Sequence, residues 1–234
     1  MYLASLACNI SKGHWLQPAR WMFYHLLDAD WASNALSWQW VAGSFSSKKY
    51  FANQENINKY CGTDQRNTFL DVPYEAFESM QVPELLRTAR SPELKTGLPE
   101  SEALFPEDKL PVYVYNFYNI DCNWDAHISA NRILLLEPSF FELYPVCSRT
   151  LEFTISLARN IPGIRIIVGN FEEVFKERHH GNIHFKEHPS NRHYRGTEHP
   201  REWMFPDVKG YFPSFFAYWK KCEPHLNQLG VRAV

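Results

Sequence analysis

Nowhere in this chain do apolar residues run on for the roughly 20 positions that a membrane-spanning helix needs. The start, Met1 to Trp15, has neither the basic opening nor the long apolar stretch of a secretory signal. A cytoplasmic protein is therefore expected. Cysteine is sparse: Cys8, Cys61, Cys122, Cys147 and Cys222 are odd in number, widely scattered and without a C-x-x-C pair. Neither a disulfide framework nor a thiolate zinc site is indicated, and reduced, mostly buried thiols are expected. Glycine-rich phosphate loops of the G-x-G-x-x-G or Walker type are missing, as are internal repeats and low-complexity tracts. Charge of one sign is also lacking, since 24 Lys and Arg face 26 Asp and Glu for a formal net charge of -2. With 45% hydrophobic and 21% charged residues among 234, disorder, collagen and coiled coil are excluded, and one or two cored domains are expected. What is abundant is aromatic side chains, 16% of the chain, with Trp15, Trp21, Trp31, Trp38 and Trp40 all inside the first 40 residues.

Residues 1 to 60 read as helices. Leu3, Leu6, Ala7 and Ile10 recur at helical spacing until Lys12-Gly13 breaks the pattern. Pro18 suits the first turn of a second helix, in which Trp21, Met22, His25 and Leu26 would form one large buried face before Asp28-Ala29-Asp30 ends it. A third helix is predicted over Trp31 to Val41, with Gly43 supplying a left-handed cap. Val72-Pro73-Tyr74-Glu75 reads as a turn into a short helix. From Ser91 to Leu110, prolines and acidic residues, among them Glu93, Glu100, Glu102, Glu107 and Asp108, mark a linker. The apolar runs PVYVYNFYNI, RILLLE and GIRIIVGNF follow, with a helical stretch from Val146 to Asn160 and a fourth strand at Ile183 to Lys186. This alternation argues a doubly wound parallel sheet. Tyr211 to His225 would close it as a packed aromatic helix. The resulting organisation is a helical portion over 1-90, a linker over 91-110 and an α/β domain over 111-234.

The segment from Asp28 to Gly43 sets two carboxylates at a helix junction, then an amide and an indole four residues apart, so that Asn34 and Trp38 share a helix face. Two acids and an amide beside aromatics could line a pocket for a planar, nitrogen-rich heterocycle. Asp28 and Asp30 could equally cap the next helix, and tryptophans at helical spacing are also a core-packing pattern.

The pattern D-x-D-x-x-x-N-x-x-x-W-Q-W-x-A-G, preceded by an M-x-x-A-S helix, resembles the FAD-binding helical domain of the DNA photolyase and cryptochrome family, without a gap from Met1 to about Gly43. The resemblance implies that Asp28 contacts the flavin, Asp30 lies beside the isoalloxazine edge and Asn34 faces its redox nitrogen. It makes Trp38 the flavin-proximal electron donor, Trp15 the next tryptophan of a relay, and Trp40 a wall against which a flipped pyrimidine dimer stacks. Met1 falls where cyclobutane-dimer photolyases carry a methionine that touches the lesion. The implied activity is light-driven repair of pyrimidine dimers in DNA with reduced FAD, or light sensing in a cryptochrome-like protein; a flavin-free interaction module is the reading from another class. Monomeric behaviour is expected, and an antenna chromophore is left undefined.

Departures from the family accompany the match. The family's phosphate-holding Thr/Ser loop, the arginine partner of the residue at Asp28 and two further tryptophans lie upstream of the position of Met1. The sequence is thus expected to be part of a longer photolyase-like protein, binding FAD poorly by itself. After W-Q-W the family's arginine segment is replaced by Ser47 to Gln54, where Lys48 and Lys49 could substitute as DNA phosphate contacts or be simply solvated. An α/β domain that follows the helical portion is a second departure. Its histidine-rich stretch, with His179, His180, His184, His188, His193 and His199, reads mainly as an exposed polar loop, with nucleic-acid contact as the alternative. His180 and His184 stand at i, i+4, yet Gly181-Asn182 between them argues against a helical metal site, so no metal is predicted.

Overall fold

The computed structural model describes residues 1–45, 48–104, 109–177, 180–228 and 230. Ser47, Glu107, Asp108 and His179, named above, and the side chain of His180 lie outside the described residues.

The chain begins with α1 (Tyr2–Ala4), which widens into a π-helical turn over Ser5–Ile10. Two polar side chains buried on that turn reach the next layer. Ser5 Oγ accepts from the Ala52 amide at 2.9 Å, and Asn9 Nδ2 donates to the Val41 and Tyr50 carbonyls, both at 2.8 Å. Next come α2 (Leu16–His25) and α3 (Trp31–Val41), then α4 (Gln54–Cys61) and the short α5 (Ala76–Ser79). Gly43, at φ +71°, closes α3: its amide bonds the Trp40 carbonyl while Ser44 reaches back to Gln39, a Schellman pattern. The buried face of α2 differs from the expectation. Ala19 and Phe23 are inside, whereas Trp21 and His25 are exposed, their rings packed on each other 5.0 Å apart. One helical turn separates Ala19 from Phe23, and that stripe, not the one carrying the largest rings, meets the neighbouring layers.

The second half is a five-stranded parallel sheet: β1 (Val112–Tyr115), β2 (Asn131–Leu136), β3 (Arg165–Val168), β4 (Ile183–Lys186) and β5 (Thr197–His199), in the order β3-β2-β1-β4-β5. Helices α6 (Pro138–Leu143) and α7 (Ser148–Ala158) connect β2 to β3, and α8 (Phe171–Val174) lies between β3 and β4. Together with the helical region this is an α plus α/β fold. Alternate residues feed two cores. Tyr113, Tyr115, Leu134, Leu136 and Ile166 lie on one face, and Val114, Ile133, Leu135, Ile167 and Phe185 on the other. Coverage of both faces is why β1 and β2 read as unbroken apolar runs. The fifth strand carried no such signal, because its three residues sit on an edge and are largely exposed. The chain over residues 96–104 is tied to the rest by hydrogen bonds, including Glu102 N to Ile166 O at 3.0 Å and Arg165 to the carbonyls of Ala103 and Leu104.

Phe23 and Ala29 of the helical region belong to the first of those sheet cores. Trp31 packs on Tyr144 with ring centroids 3.6 Å apart. The C-terminal helix α9 (Phe215–Gln228) departs from the packed aromatic helix expected. Of its residues only Cys222 is buried, while Phe215 and Phe216 are exposed. Cys8 is also buried, but Cys61 and Cys122 are exposed and Cys147 is half-buried, so the thiols are less buried than expected.

Candidate functional site

Helix α3 and the turn before it build the site. Asp30 caps α3, its Oδ1 accepting from the Ser33 amide at 2.7 Å, and Asp28 Oδ1 accepts from the Asp30 amide at 3.4 Å. Between the two acids, Ala29 holds φ at +42°, a left-handed conformation rare for a side chain with a Cβ. One turn apart on α3, the Trp38 indole donates to Asn34 Oδ1 at 3.1 Å, and Asn34 Nδ2 donates to the Ala19 carbonyl of α2 at 2.9 Å. Both side chains are buried. The amide keeps a second N–H and a second lone pair, so its orientation is set without using all of its capacity.

These groups converge. Met1, Asp28, Asp30, Asn34 and Trp38 line one cavity of about 310 Å³. Ala4, Met22, Leu26, Ser33 and Ser37 complete its walls; Met22 and Leu26 were read from sequence as core positions, and none of the five as a site residue. Their signal was spacing: Met22 and Leu26 are four apart, and Ser33 and Ser37 follow the Asp30 and Asn34 face. The volume stands at the lower end of the ~300–1,000 Å³ typical of small-molecule sites. It suits a fused-ring head group better than a whole dinucleotide. Two carboxylates could accept from ring N–H groups, the amide could bond a ring nitrogen or carbonyl, and the indole offers an apolar wall. No lysine or arginine is among the lining residues, so this chamber provides for a ring and not for a diphosphate.

Trp15, Trp40, Lys48 and Lys49 lie outside this lining. Trp15 packs in the same apolar cluster as Trp38 and lines an adjoining cavity of about 250 Å³, of which Asn34 forms a shared wall. Trp40 is 42% exposed, with its ring 5.7 Å from that of Tyr50. Two residues beyond Trp38, it points about 200° further round the helix. Lys48 and Lys49 line a hollow together with Tyr74, Glu75 and Glu78, so that both signs of charge face it.

In the α/β unit His184 lies on β4, with its Nδ1 3.0 Å from His199 Nε2. Burial, then the neighbouring His199, lowers the pKa of His184. Among the described residues no three His, Cys, Asp or Glu side chains group as metal ligands, and no helix is long and apolar enough to cross a membrane.

Comparison with known proteins bears on the helical region. A family model described as the FAD binding domain of DNA photolyase matches residues 1–87. No curated protein and no solved structure matches the chain.

Proposed function

We propose, from the match of residues 1–87 to the FAD binding domain of DNA photolyase, that this chain uses the chamber between α2 and α3 to hold the isoalloxazine ring of FAD in a light-driven DNA repair protein. The observation that carries the reading is the convergence of Asp28, Asp30, Asn34 and Trp38 on one cavity of ring size. Bound flavin would supply one-electron photochemistry toward a cyclobutane pyrimidine dimer. The chain's own residues orient the ring through the two carboxylates and the Asn34 amide and exclude water with Trp38, Met22 and Leu26. Trp38, fixed by its bond to Asn34 and lining the chamber, would be the electron donor to such a ring, and Trp15, in the same apolar cluster, would follow it. Met1, at the rim of the chamber, and Trp40, on the exposed side of α3, are the lesion-facing residues of this reading, with Lys48 and Lys49 as phosphate contacts. A damaged base pair is weakly stacked, so extruding it costs only a few kcal/mol, which stacking on an exposed indole can offset.

A cryptochrome-like light sensor is favoured by one feature, the two glutamates that line the lysine hollow and would oppose a DNA phosphate. Titration of the purified chain with FAD, followed by flavin absorbance and blue-light reduction, tests the shared part of both readings. Light-dependent loss of dimers from irradiated oligonucleotide then separates repair from sensing. A chain that neither acquires flavin absorbance nor quenches flavin fluorescence would leave the flavin-free interaction module as the surviving alternative.

A further inference from the structure

The acid-bearing turn is not held by the helical region alone. Its backbone between the end of α2 and Asp30 meets the α/β unit at three carbonyls. The Cys147 amide donates to Tyr24 O at 2.8 Å, Thr150 Oγ1 to Leu26 O at 2.9 Å, and the Tyr118 hydroxyl to Ala29 O at 2.9 Å. Carbonyls at the end of a helix have no partner within it, and donors at the start of another helix are likewise unspent. Here the C-terminus of α2 abuts the N-terminus of α7, so each satisfies the other, with opposite ends of two helix dipoles facing.

Tyr118 is itself tightly placed. It follows β1, at the carboxyl ends of the strands and next to the point where strand order reverses between β1 and β4, the place where open α/β sheets present their binding groups. Asn116 Oδ1 accepts from the Tyr118 and Asn119 amides, and Asn119 Oδ1 accepts from the Asn116 amide, which locks the turn. The phenol ring stacks on His188 at 4.8 Å. Ala29, fully buried and left-handed, is where this network meets the site.

We infer that the α/β unit is a structural part of the ring-binding site, with Tyr118 and Thr150 as positioning residues that hold the Asp28–Asp30 turn in its strained, binding-competent form. Through Ala29 the helical region meets Tyr118 at the carboxyl ends of the strands, where an open α/β sheet otherwise receives a small ligand. The inference rests on the flavin reading for its functional consequence, but the clamp exists without any ligand.

The test uses the full chain. Hydrogen exchange is followed in the flavin-free protein at the Ala29 and Ser33 amides, which bond Leu26 O and Asp30 Oδ1, with β2 amides as internal reference. Tyr118→Phe and Thr150→Val each lower protection at Ala29 and Ser33 by about tenfold, the size expected of one buried hydrogen bond, and leave β2 unchanged. FAD affinity, measured by fluorescence quenching, falls in parallel. Adding Ala29→Gly to Tyr118→Phe restores protection at Ser33 and FAD affinity, because glycine adopts the left-handed turn without strain. Unchanged exchange at Ala29 and Ser33, equal loss of protection across β2, or failure of Ala29→Gly to rescue would each overturn the clamp. If the parent chain takes up no FAD, the functional proposal falls while the exchange arms still decide the inference.

Discussion

Trp38 Nε1 lies 3.1 Å from Asn34 Oδ1, so the indole that would exchange electrons with a bound ring and the amide that would face its redox nitrogen are one hydrogen-bonded unit. Changing either side chain therefore disturbs the other, but in different observables.

Trp38→Phe removes the donor and keeps most of the apolar wall. Stability should fall by about 1 kcal/mol, the value of one hydrogen bond, while FAD binding persists and blue-light reduction of the flavin slows strongly. Thermal unfolding and stopped-light absorbance kinetics measure the two effects. Equal rates of photoreduction in parent and variant would remove Trp38 from the relay. Asn34→Ala should instead shift the stability of the reduced flavin, read by redox titration.

Asp30 has two assignments, helix cap and ring partner, and they can be separated. Asp30→Ala should cost about 1 kcal/mol through loss of the cap and weaken FAD binding as well. Asn caps as well as Asp, so Asp30→Asn should retain the melting temperature yet lose affinity if the charge matters to the ring. A variant silent in both measurements would leave capping as the whole role of this carboxylate.

Stability should depend on pH through the α/β unit. Burial is the main cause that lowers the pKa of both His184 and His188, with His199 and Arg201 respectively adding to it. A group whose folded pKa is depressed favours the folded state above its unfolded value. That contribution is lost as pH falls, because the unfolded chain then binds the proton first. The decline should begin below the ordinary histidine value of 6.5. Denaturant midpoints should be level from pH 8 to about 7 and drop toward pH 5. His184→Asn should flatten part of that slope; a slope identical to the parent's would show that the His184–His199 pair is not responsible.

Arg132 on β2 is buried and donates to Tyr115 Oη at 2.7 Å and to the carbonyls of Trp124, Asp125 and Ile128, with its guanidinium 5.0 Å from the Tyr113 ring centre. It closes the β1–β2 connection, which has turns where a helix is usual. Arg132→Met should cost about 2–3 kcal/mol, because buried carbonyl acceptors lose their donors. A loss below ~0.5 kcal/mol in chemical denaturation would mean that the connection finds other partners.

Much of the local order was legible from residue spacing. The α3 boundaries, the Gly43 cap, the short helix after Pro73 and strand β4 follow from caps, glycine and period, signals that act over a few residues. The aromatic clusters were harder to place. Trp21 and Phe23 are equally hydrophobic neighbours, and only the packing of α2 on the next layers decides that Phe23 is buried and Trp21 is not. The same holds at Tyr211 to His225, where an aromatic-rich helix forms but leaves Phe215 and Phe216 outside.

By itself the sequence determined that Asp30 would end a turn, that Asn34 and Trp38 would share a face, and that three apolar runs and the segment Ile183 to Lys186 would be strands, because each depends on backbone geometry within one element. The hollow between α2 and α3, the left-handed turn at Ala29 and its grip by Tyr118 and Thr150 were decided only by tertiary structure. Those contacts join residues about 90 to 120 positions apart, and no local propensity records which carbonyl a distant hydroxyl will find.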